Sequence, residues 1–477
     1  MLRFIYEKKI LLIKNCKMAN IAGALQDMAN LGAVERYQYG TTNAVTYFIR
    51  ETRKSTLFSQ LPIQLSSKNG NPDFDREWSV EPSKAFDYLI HMWIRVTVPE
   101  VKLLAGNVYK EHGRIRWTRN FMHNLIKKVS FNVNDLEIEK FDNYFLDFWN
   151  QFTLSSSKKD GYNNMIGNDD DLLIPKSKDG KIESKSLTLP IPFFFSRDSG
   201  LALPVGGVKW NKLRIDFEFR NWTELLILEN VGAAHNGEKN PCKVPQVGSD
   251  IAVAPSLSNV QCWVNGGLIP EAERARMGCV HRDMLIESIQ TSSKLNFNPV
   301  LNPNPSYDIR FQRTVKALFF GVRNTTNPNV WSNYTTASPV PDADKIDFDP
   351  DQSAFDPIGT ANIRYESSDR IPVMTADYFS LIEPYYKAPA IPELTGYHMF
   401  SYALKMNNVD PSGSANYSIL NNVSIQLQCS EAAIKAAKGE GEAKTGTDYA
   451  QSFQFLVIAI SQNVLTLKNG MLGLPFM

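Results

Sequence analysis

The chain contains residue types able to do chemistry, but their spacing assembles no recognisable site. Asp342, Asp344, Asp347, Asp349 and Asp351 recur within the segment DADKIDFDPD, and alternating carboxylates could supply oxygen ligands to Ca²⁺. An EF-hand loop needs Gly at its sixth position and a bidentate Glu at its twelfth; counted from Asp342 those positions hold Asp347 and Ala354, so the segment reads as a solvated acidic loop. A shorter acidic loop is Asn168-Asp169-Asp170-Asp171. The histidines (His91, His112, His123, His235, His281, His398) form no H-x-H pair and no H-E-x-x-H, which leaves zinc chemistry unsupported. His123, in FMHNLI, reads as a hydrogen-bonded residue at a strand start rather than as a base. No G-x-S-x-G elbow is present, and Lys444-Thr445 lacks the G-x-x-x-x-G-K spacing of a phosphate-binding loop. Gly161 to Gly167, GYNNMIG, reads as a turn-rich connection with Tyr162 and Met165 as packing anchors. No carboxylate pair stands out for glycoside hydrolysis. Catalytic, cofactor-binding and metal residues are therefore all expected to be none.

The elements that would have to position a site are mostly strands. Leu189 to Pro204, LPIPFFFSRDSGLALP, is the most telling stretch. Pro190 and Pro192 are two apart, so the missing N–H groups fall on one side of a strand, which suits a sheet edge. Phe193, Phe194 and Phe195 offer aromatic bulk to both faces, which predicts a covered strand. Ser196 to Gly200 reads as a turn, and Leu201 to Pro204 as a second strand. Further strands are expected at Thr46–Ile49, Asp87–Val98, Leu125–Val133, Leu213–Phe219, Val260–Val264 and Lys316–Val322. Asp216, Glu218 and Arg220 alternate with Ile215, Phe217 and Phe219, giving one wet and one buried face.

Helical spacing appears in three places. Ile21, Leu25, Met28 and Leu31 predict a short amphipathic helix; Ile138, Phe141, Phe145, Phe148 and Phe152 predict a helix over Glu137 to Thr153; Pro270 to Met277 predicts one with acids ahead of bases. Asn230 to Pro255 reads as a linker, and Ser430 to Asp448 as a mobile surface loop.

At 477 residues the chain is too long for one core, so two domains are expected. A net charge of +1 gives no global attraction to nucleic acid or anionic membrane. Cys16, Cys242, Cys262, Cys279 and Cys429 are widely spaced with no C-x-x-C, which reads as reduced thiols. The longest clean apolar run, Phe455 to Ile460, is too short to span a bilayer. Met1 to Lys17 shows no signal-peptide pattern; it is expected to be either an upstream extension of the reading frame or a lysine-rich binding arm. Sequons occur at Asn221, Asn324, Asn333, Asn416 and Asn422, with Asn324 and Asn333 in an expected exposed loop, and modification is not expected.

Blocks along the chain resemble the major capsid proteins of large cytoplasmic DNA viruses, closest to the iridovirus and ascovirus group. They are LPIPFFFSRDSG, Arg114 to Trp149, GYNNMIGN, Tyr307 to Thr326, SNYTTASPV, DYFSLIEPYY, Thr395 to Tyr417 and the ending NVLTLKNGMLGLPFM. The resemblance covers roughly Val34 to Met477 and departs at Met1–Lys17, Lys176–Lys185, His235–Gln246 and Asp342–Asp351. It implies an all-β double jelly roll, two eight-stranded β-sandwich barrels in one chain with short helices in loops. The divisions expected are an N-terminal extension and helix (1–33), a first jelly roll (34–231), a linker (232–254) and a second jelly roll (255–477). It further implies homotrimers forming pseudo-hexagonal capsomers, contacts with neighbouring capsomers and minor capsid proteins, an inner viral membrane nearby, no direct nucleic acid, synthesis in the host cytoplasm and residence in the virion capsid. Which residues line the trimer interface is unknown at this level. The competing readings are a carbohydrate-binding or carbohydrate-cleaving β-sandwich and a minor virion attachment protein.

Overall fold

The computed structural model describes residues 20–476, apart from 41–43, 51, 83, 105–112, 178–179, 231–241, 278, 338–354, 367 and 441–449. Two units separate, Met1–Thr56 and Leu57–Met477. The first carries helices α1 (Asn20–Ala29) and α2 (Ala33–Gln38), and Leu25, Met28 and Leu31 of the expected amphipathic face are exposed. Tyr47 to Ile49, expected in a strand, form a turn and bend instead.

The second unit holds two β-sandwiches built on one plan. The first uses β1 (Ser59–Gln64), β2 (Glu77–Glu81), β3 (Tyr88–Val98), β4 (Ile126–Val133), β5 (Leu136–Phe141), β6 (Lys185–Pro190), β7 (Leu213–Phe219) and β8 (Ser258–Leu268). Its sheets run β1-β8-β3-β6 and β2-β7-β4-β5. The second uses β9 (Arg282–Thr291), β10 (Ser306–Asp308), β11 (Thr314–Asn324), β12 (Ile358–Tyr365), β13 (Ser368–Thr375), β14 (His398–Ser401), β15 (Val423–Cys429) and β16 (Phe453–Lys468). Its sheets, β9-β16-β11-β14 and β10-β15-β12-β13, repeat the same order eight strands on. This is the double jelly roll: two antiparallel sheets per barrel, each with four principal strands, some lengthened by short strands such as Ser66–Asn69 on β2 and Leu295–Phe297 on β16, and each barrel's last strand lies beside its first. Strand β8 pairs with β1 and β3, so the first barrel takes its closing strand from beyond residue 254.

Strand burial follows composition. In β7, LRIDFEF, every second residue is buried, because one face meets the core and the other meets water. In β11, TVKALFFGVRN, all residues after the first are buried, which requires cover on both faces. One cover is the second sandwich's own core, to which Leu318, Phe320 and Val322 belong; Ala317 and Phe319 face the larger core centred on the first sandwich.

Local chemistry revised several expectations. Glu137 to Thr153 is two elements, not one helix. Asn134, in the left-handed region at φ 56°, turns β4 into β5, and pairing carries β5 to Phe141. Asp142 then caps helix α3 (Asn143–Thr153) by accepting from the Phe145 amide. The five aromatic and aliphatic residues are buried as expected, but from a strand and a helix in succession. Strand β6 lies at its sheet's edge, as the prolines required, and ends at Pro190. Phe193 to Phe195 are fully buried without being a strand: Phe194–Ser196 forms a 3₁₀ turn, and Leu203 returns by a single bridge to Leu89. GYNNMIG lies at the end of helix α4 (Ser156–Ile166), with Met165 exposed rather than anchoring. His123 sits in a single helical turn, Phe121–Leu125, ahead of β4. Arg220 is buried, not on the wet face. Of the loop expected over Ser430 to Asp448, Ser430 caps a helix over Glu431–Lys438 that buries Ala433 and Ala436, while residues 441–448 lie outside the described residues. Asn324 and Asn333 are buried, not exposed. The expected helix near Pro270 spans Glu271–Met277. Met1–Lys17, Asp342–Asp351, Lys444-Thr445, His112, His235 and Cys16 lie outside the described residues. Among the described residues no helix is long and apolar enough to cross a membrane.

Candidate functional site: the buried seam between the two sandwiches

Helix α3 is laid across the outer face of the second sandwich's β9-β16-β11-β14 sheet. Phe152 stacks on Phe319 of β11 at 5.1 Å between ring centroids, and Phe148 lies 4.9 Å from Tyr397 and 5.2 Å from Tyr334. The close approach requires Gly321, where an added Cβ would come within 2.8 Å of the Phe148 ring and 2.9 Å of the Gly396 carbonyl oxygen. Behind the helix, Phe131 of β4 meets Phe193, Phe194 and Phe195 edge-on at 6.0–6.2 Å.

Charge is buried in the same seam. Arg197, two residues after Phe195, pairs with Glu287 of β9 and with Glu139 of β5 (3.5 Å), and its guanidinium lies 4.4 Å over the Trp149 ring. Lys316 of β11 pairs with Glu287 at 2.5 Å and donates to the Asn408 carbonyl. Glu139 accepts from the Phe194 amide at 2.9 Å. One arginine thus ties a first-sandwich strand to a second-sandwich strand through carboxylates on both. Burial pushes the Glu139 carboxyl up to about 7, opposed by Arg197 and the Phe194 amide, and holds the Lys316 ammonium down at about 8.

Two further clusters hold the seam. Arg220, next after β7, and Arg323 of β11 each place the guanidinium carbon 3.7 Å from the Trp331 ring centroid. Two planar cations that close must lie on opposite indole faces, so Trp331 is clamped between the sandwiches. Each cation has its own acceptors: Arg220 donates to the Asn124 carbonyl and Glu224, and Arg323 to the Tyr144 hydroxyl. Asp147, fully buried on α3, accepts from Asn120 (3.0 Å), Ser332 (2.7 Å) and Tyr334 (3.1 Å) and contacts His123 Nδ1 at 2.7 Å. Tyr162 hydroxyl lies 2.8 Å from the other ring nitrogen of His123. Both nitrogens are engaged and the ring is buried, so His123 is a hydrogen-bonded core residue, as its sequence context suggested.

Nothing in this arrangement presents a reacting group to solvent. Beside α3 and α4 lies an open groove of about 500 Å³, lined by Trp93, Trp149, Leu154, Met165, Pro190 and Pro192 among others, with no carboxylate in its walls. No group of three or more His, Cys, Asp or Glu could hold a metal among the described residues. The seam itself escaped sequence reasoning because its members are far apart in the chain. Lys316 was the available signal: a lysine opening the apolar run ALFFGV, in a strand covered on both faces, must find a buried partner.

Comparison with known proteins agrees with this architecture. Residues 46–266 match the family model for the major capsid protein N-terminus, and residues 273–473 match that for the large eukaryotic DNA virus major capsid protein. The chain is 46% identical over 460 residues to the major capsid protein of Costelytra zealandica iridescent virus, covering 96% of this chain and 98% of that one. It is 44% identical over 459 residues to that of Lymphocystis disease virus 1, covering 96% and 98%. Among solved structures, the PBCV-1 virus capsid model superposes with a TM-score of 0.70 at 21% identity, covering 91% of this chain and all of that one. The Faustovirus major capsid protein gives 0.66 at 11% identity, covering 96% and 98%.

Proposed function

This chain belongs to the major capsid proteins of large eukaryotic DNA viruses, and from that premise we propose that three copies associate into one pseudo-hexagonal capsomer. Its role is structural: it builds the virion capsid together with copies of itself. The observation that carries the trimer reading is the seam. Two sandwiches of identical strand order, riveted by buried ion pairs and stacked aromatics, make one unit, and three such units present six barrels around an axis. A rigid seam is what a tile needs, since subunit contacts can only be repeated over a shell if both barrels keep one relative pose.

The finer reading continues from there. Capsomers contact neighbouring capsomers and minor capsid proteins, and the shell lies near an inner viral membrane. The net charge of +1 supports a shell that makes no direct contact with nucleic acid. Synthesis is in the host cytoplasm, and the protein is not an enzyme. The divisions proposed are those of the sequence (1–33 extension, 34–231 first jelly roll, 232–254 linker, 255–477 second jelly roll) with two adjustments: the first roll is begun at Leu57, where the second unit starts, and β8 is counted with it, because its hydrogen bonds lie there.

Light scattering after gel filtration of the full chain tests the proposal. A species of three chain masses, stable to dilution, is the expected result. A dilution-resistant monomer or dimer would overturn the trimer.

A further inference from the structure

The helical segment Tyr378–Lys387, between β13 and β14, turns apolar side chains to water as well as to the core. Its opening turn is a π-helix, Tyr378–Ile382, followed by helix α5, Glu383–Lys387. The inward face is anchored by polar bonds as well as by Phe379. Glu383 is buried; it accepts from the Ser401 amide at 3.1 Å and from the Tyr378 hydroxyl at 3.2 Å, and pairs with Lys387 at 2.8 Å. The outward face carries Leu381 (48% exposed), Ile382 (50%), Tyr385 (68%) and Tyr386 (72%). On a surface helix the apolar stripe ordinarily faces the core; here Phe379 and Pro384 face inward with the buried Glu383, and a second apolar stripe is turned to water. π-Helical turns are themselves concentrated at functional sites.

We propose that this face is a contact between copies of the chain, occupied by a neighbouring copy in the capsomer. The inference rests on the self-association reading above and assigns residues to it. Two tyrosines offering roughly 150–250 Å² each when bare, with two half-exposed aliphatic residues, give a patch on the order of 400 Å². That is about half of the ~800 Å² each partner contributes to a stable interface, the size of an interface centre rather than of a scattered contact. The composition fits the same occupant: tyrosine is enriched at interfaces between proteins. A membrane surface would call for a basic rim, but the segment's own cation, Lys387, is already held by Glu383 and the Ser401 carbonyl.

Two measurements on the full chain decide it. Hydroxyl-radical footprinting is run on the associated form and on the same protein in the lowest urea concentration at which light scattering reports dissociation while near-UV dichroism stays native. Tyr385 and Tyr386 are expected to be at least about fivefold less reactive in the associated form, as burial at an interface centre demands. At that urea concentration the double variant Tyr385→Glu/Tyr386→Glu, checked for native near-UV dichroism, is expected to need at least about tenfold more protein than the wild type to associate. The footprint needs no variant, so a variant that misfolds leaves the test intact. Equal tyrosine reactivity in both forms, or association of the folded variant at the wild-type concentration, overturns the assignment. So does protection of these tyrosines by phosphatidylserine vesicles but not by self-association. A dimer with protected tyrosines removes the trimer and keeps the contact, whereas a trimer with reactive tyrosines does the reverse.

Discussion

Replacing Arg197 by Met gives a quantitative test of the ionic seam. The substitution keeps an unbranched side chain over Trp149 and deletes the guanidinium. Glu287 retains Lys316, but Glu139 is left buried with only the Phe194 amide. Breaking one partner out of a buried pair costs about 3–5 kcal/mol, because the remaining charge is uncompensated. Glu139 can escape part of that cost by taking up a proton, which makes the loss depend on pH. In the native protein its carboxyl titrates at about 7, above its ordinary value of 4.5, so between those limits the folded state binds the extra proton. This group therefore favours the folded state at low pH, and the contribution fades as pH rises toward 7. Without Arg197 the folded-state value moves higher still, since its chief opposing charge is gone. Below pH 7 both proteins carry Glu139 protonated and the difference between them is flat. Above pH 7 only the variant stays protonated, and the difference grows by about 1.4 kcal/mol per pH unit until the variant also titrates. Urea unfolding at fixed protein concentration, at pH 6 and at pH 7.8, short of the range in which Lys316 gives up its proton, measures both quantities. Arg197→Met is expected to be destabilised at pH 6 and by about 1 kcal/mol more at pH 7.8. Adding Glu139→Gln, which keeps an acceptor for the Phe194 amide, is expected to recover most of the loss and flatten the extra pH dependence. A loss under about 1 kcal/mol at both pH values, or one that Glu139→Gln leaves untouched, would refute the account of the seam.

Other expectations are tested more simply. Phe194→Ala should cost about 3–5 kcal/mol, read from thermal or urea unfolding, and Phe194→Asp should abolish soluble protein, because the side chain is fully buried among Phe131 and Phe195. Of Cys242, Cys262, Cys279 and Cys429, only the exposed Cys279 should react within minutes with a thiol reagent followed by peptide mass mapping. The others are buried, which pushes the Cys242 thiol up to about 12 and Cys429 to about 11. If the chain is directed through a secretory pathway, mass spectrometry should find Asn324 and Asn333 unmodified in folded protein. Both are buried, and Asn324 spends its amide on the Thr335 and Ala337 carbonyls.

What was legible in the sequence depended on how local its cause was. The alternation in Leu213–Phe219 reports a half-buried strand because the period of two acts within a few residues. The prolines at 190 and 192 report an edge because a missing N–H cannot be replaced. Burial of Phe193 to Phe195 was legible, but their conformation was not: once Pro190 and Pro192 end the ladder, a tight turn buries three rings as well as a strand would. Ile138 and Phe141 share their spacing with the helix that follows, and only the Asn134 turn, which forces a hairpin, separates strand from helix. Of the seam only Lys316 was legible, as a buried cation in want of a partner; which partner was not. Arg197, Glu139, Glu287 and Lys316 come from four separated segments, and only the assembled sheets show that their charges meet. The doubling was equally silent, since sheet order repeats without a repeat in residues.

The position of β16 has a consequence for how this protein is made. Phe453–Lys468 lies between β9 and β11, so the second barrel's main sheet has no middle until almost the last residues of the chain exist. The first barrel can close once Leu268 has left the ribosome. The apolar strands that follow must wait for Phe453, which at ~5–20 residues per second is on the order of ten seconds or more. Throughout that interval β9 has no partner in this sheet, and β11, even once β14 has joined it, keeps an open edge on the side that β16 will take. A cell filling with this protein for shell assembly therefore carries a standing population of half-finished molecules whose exposed strands match those of every neighbouring chain. Demand for chaperones at the ribosome should rise with the rate of synthesis, not with the amount of finished capsid.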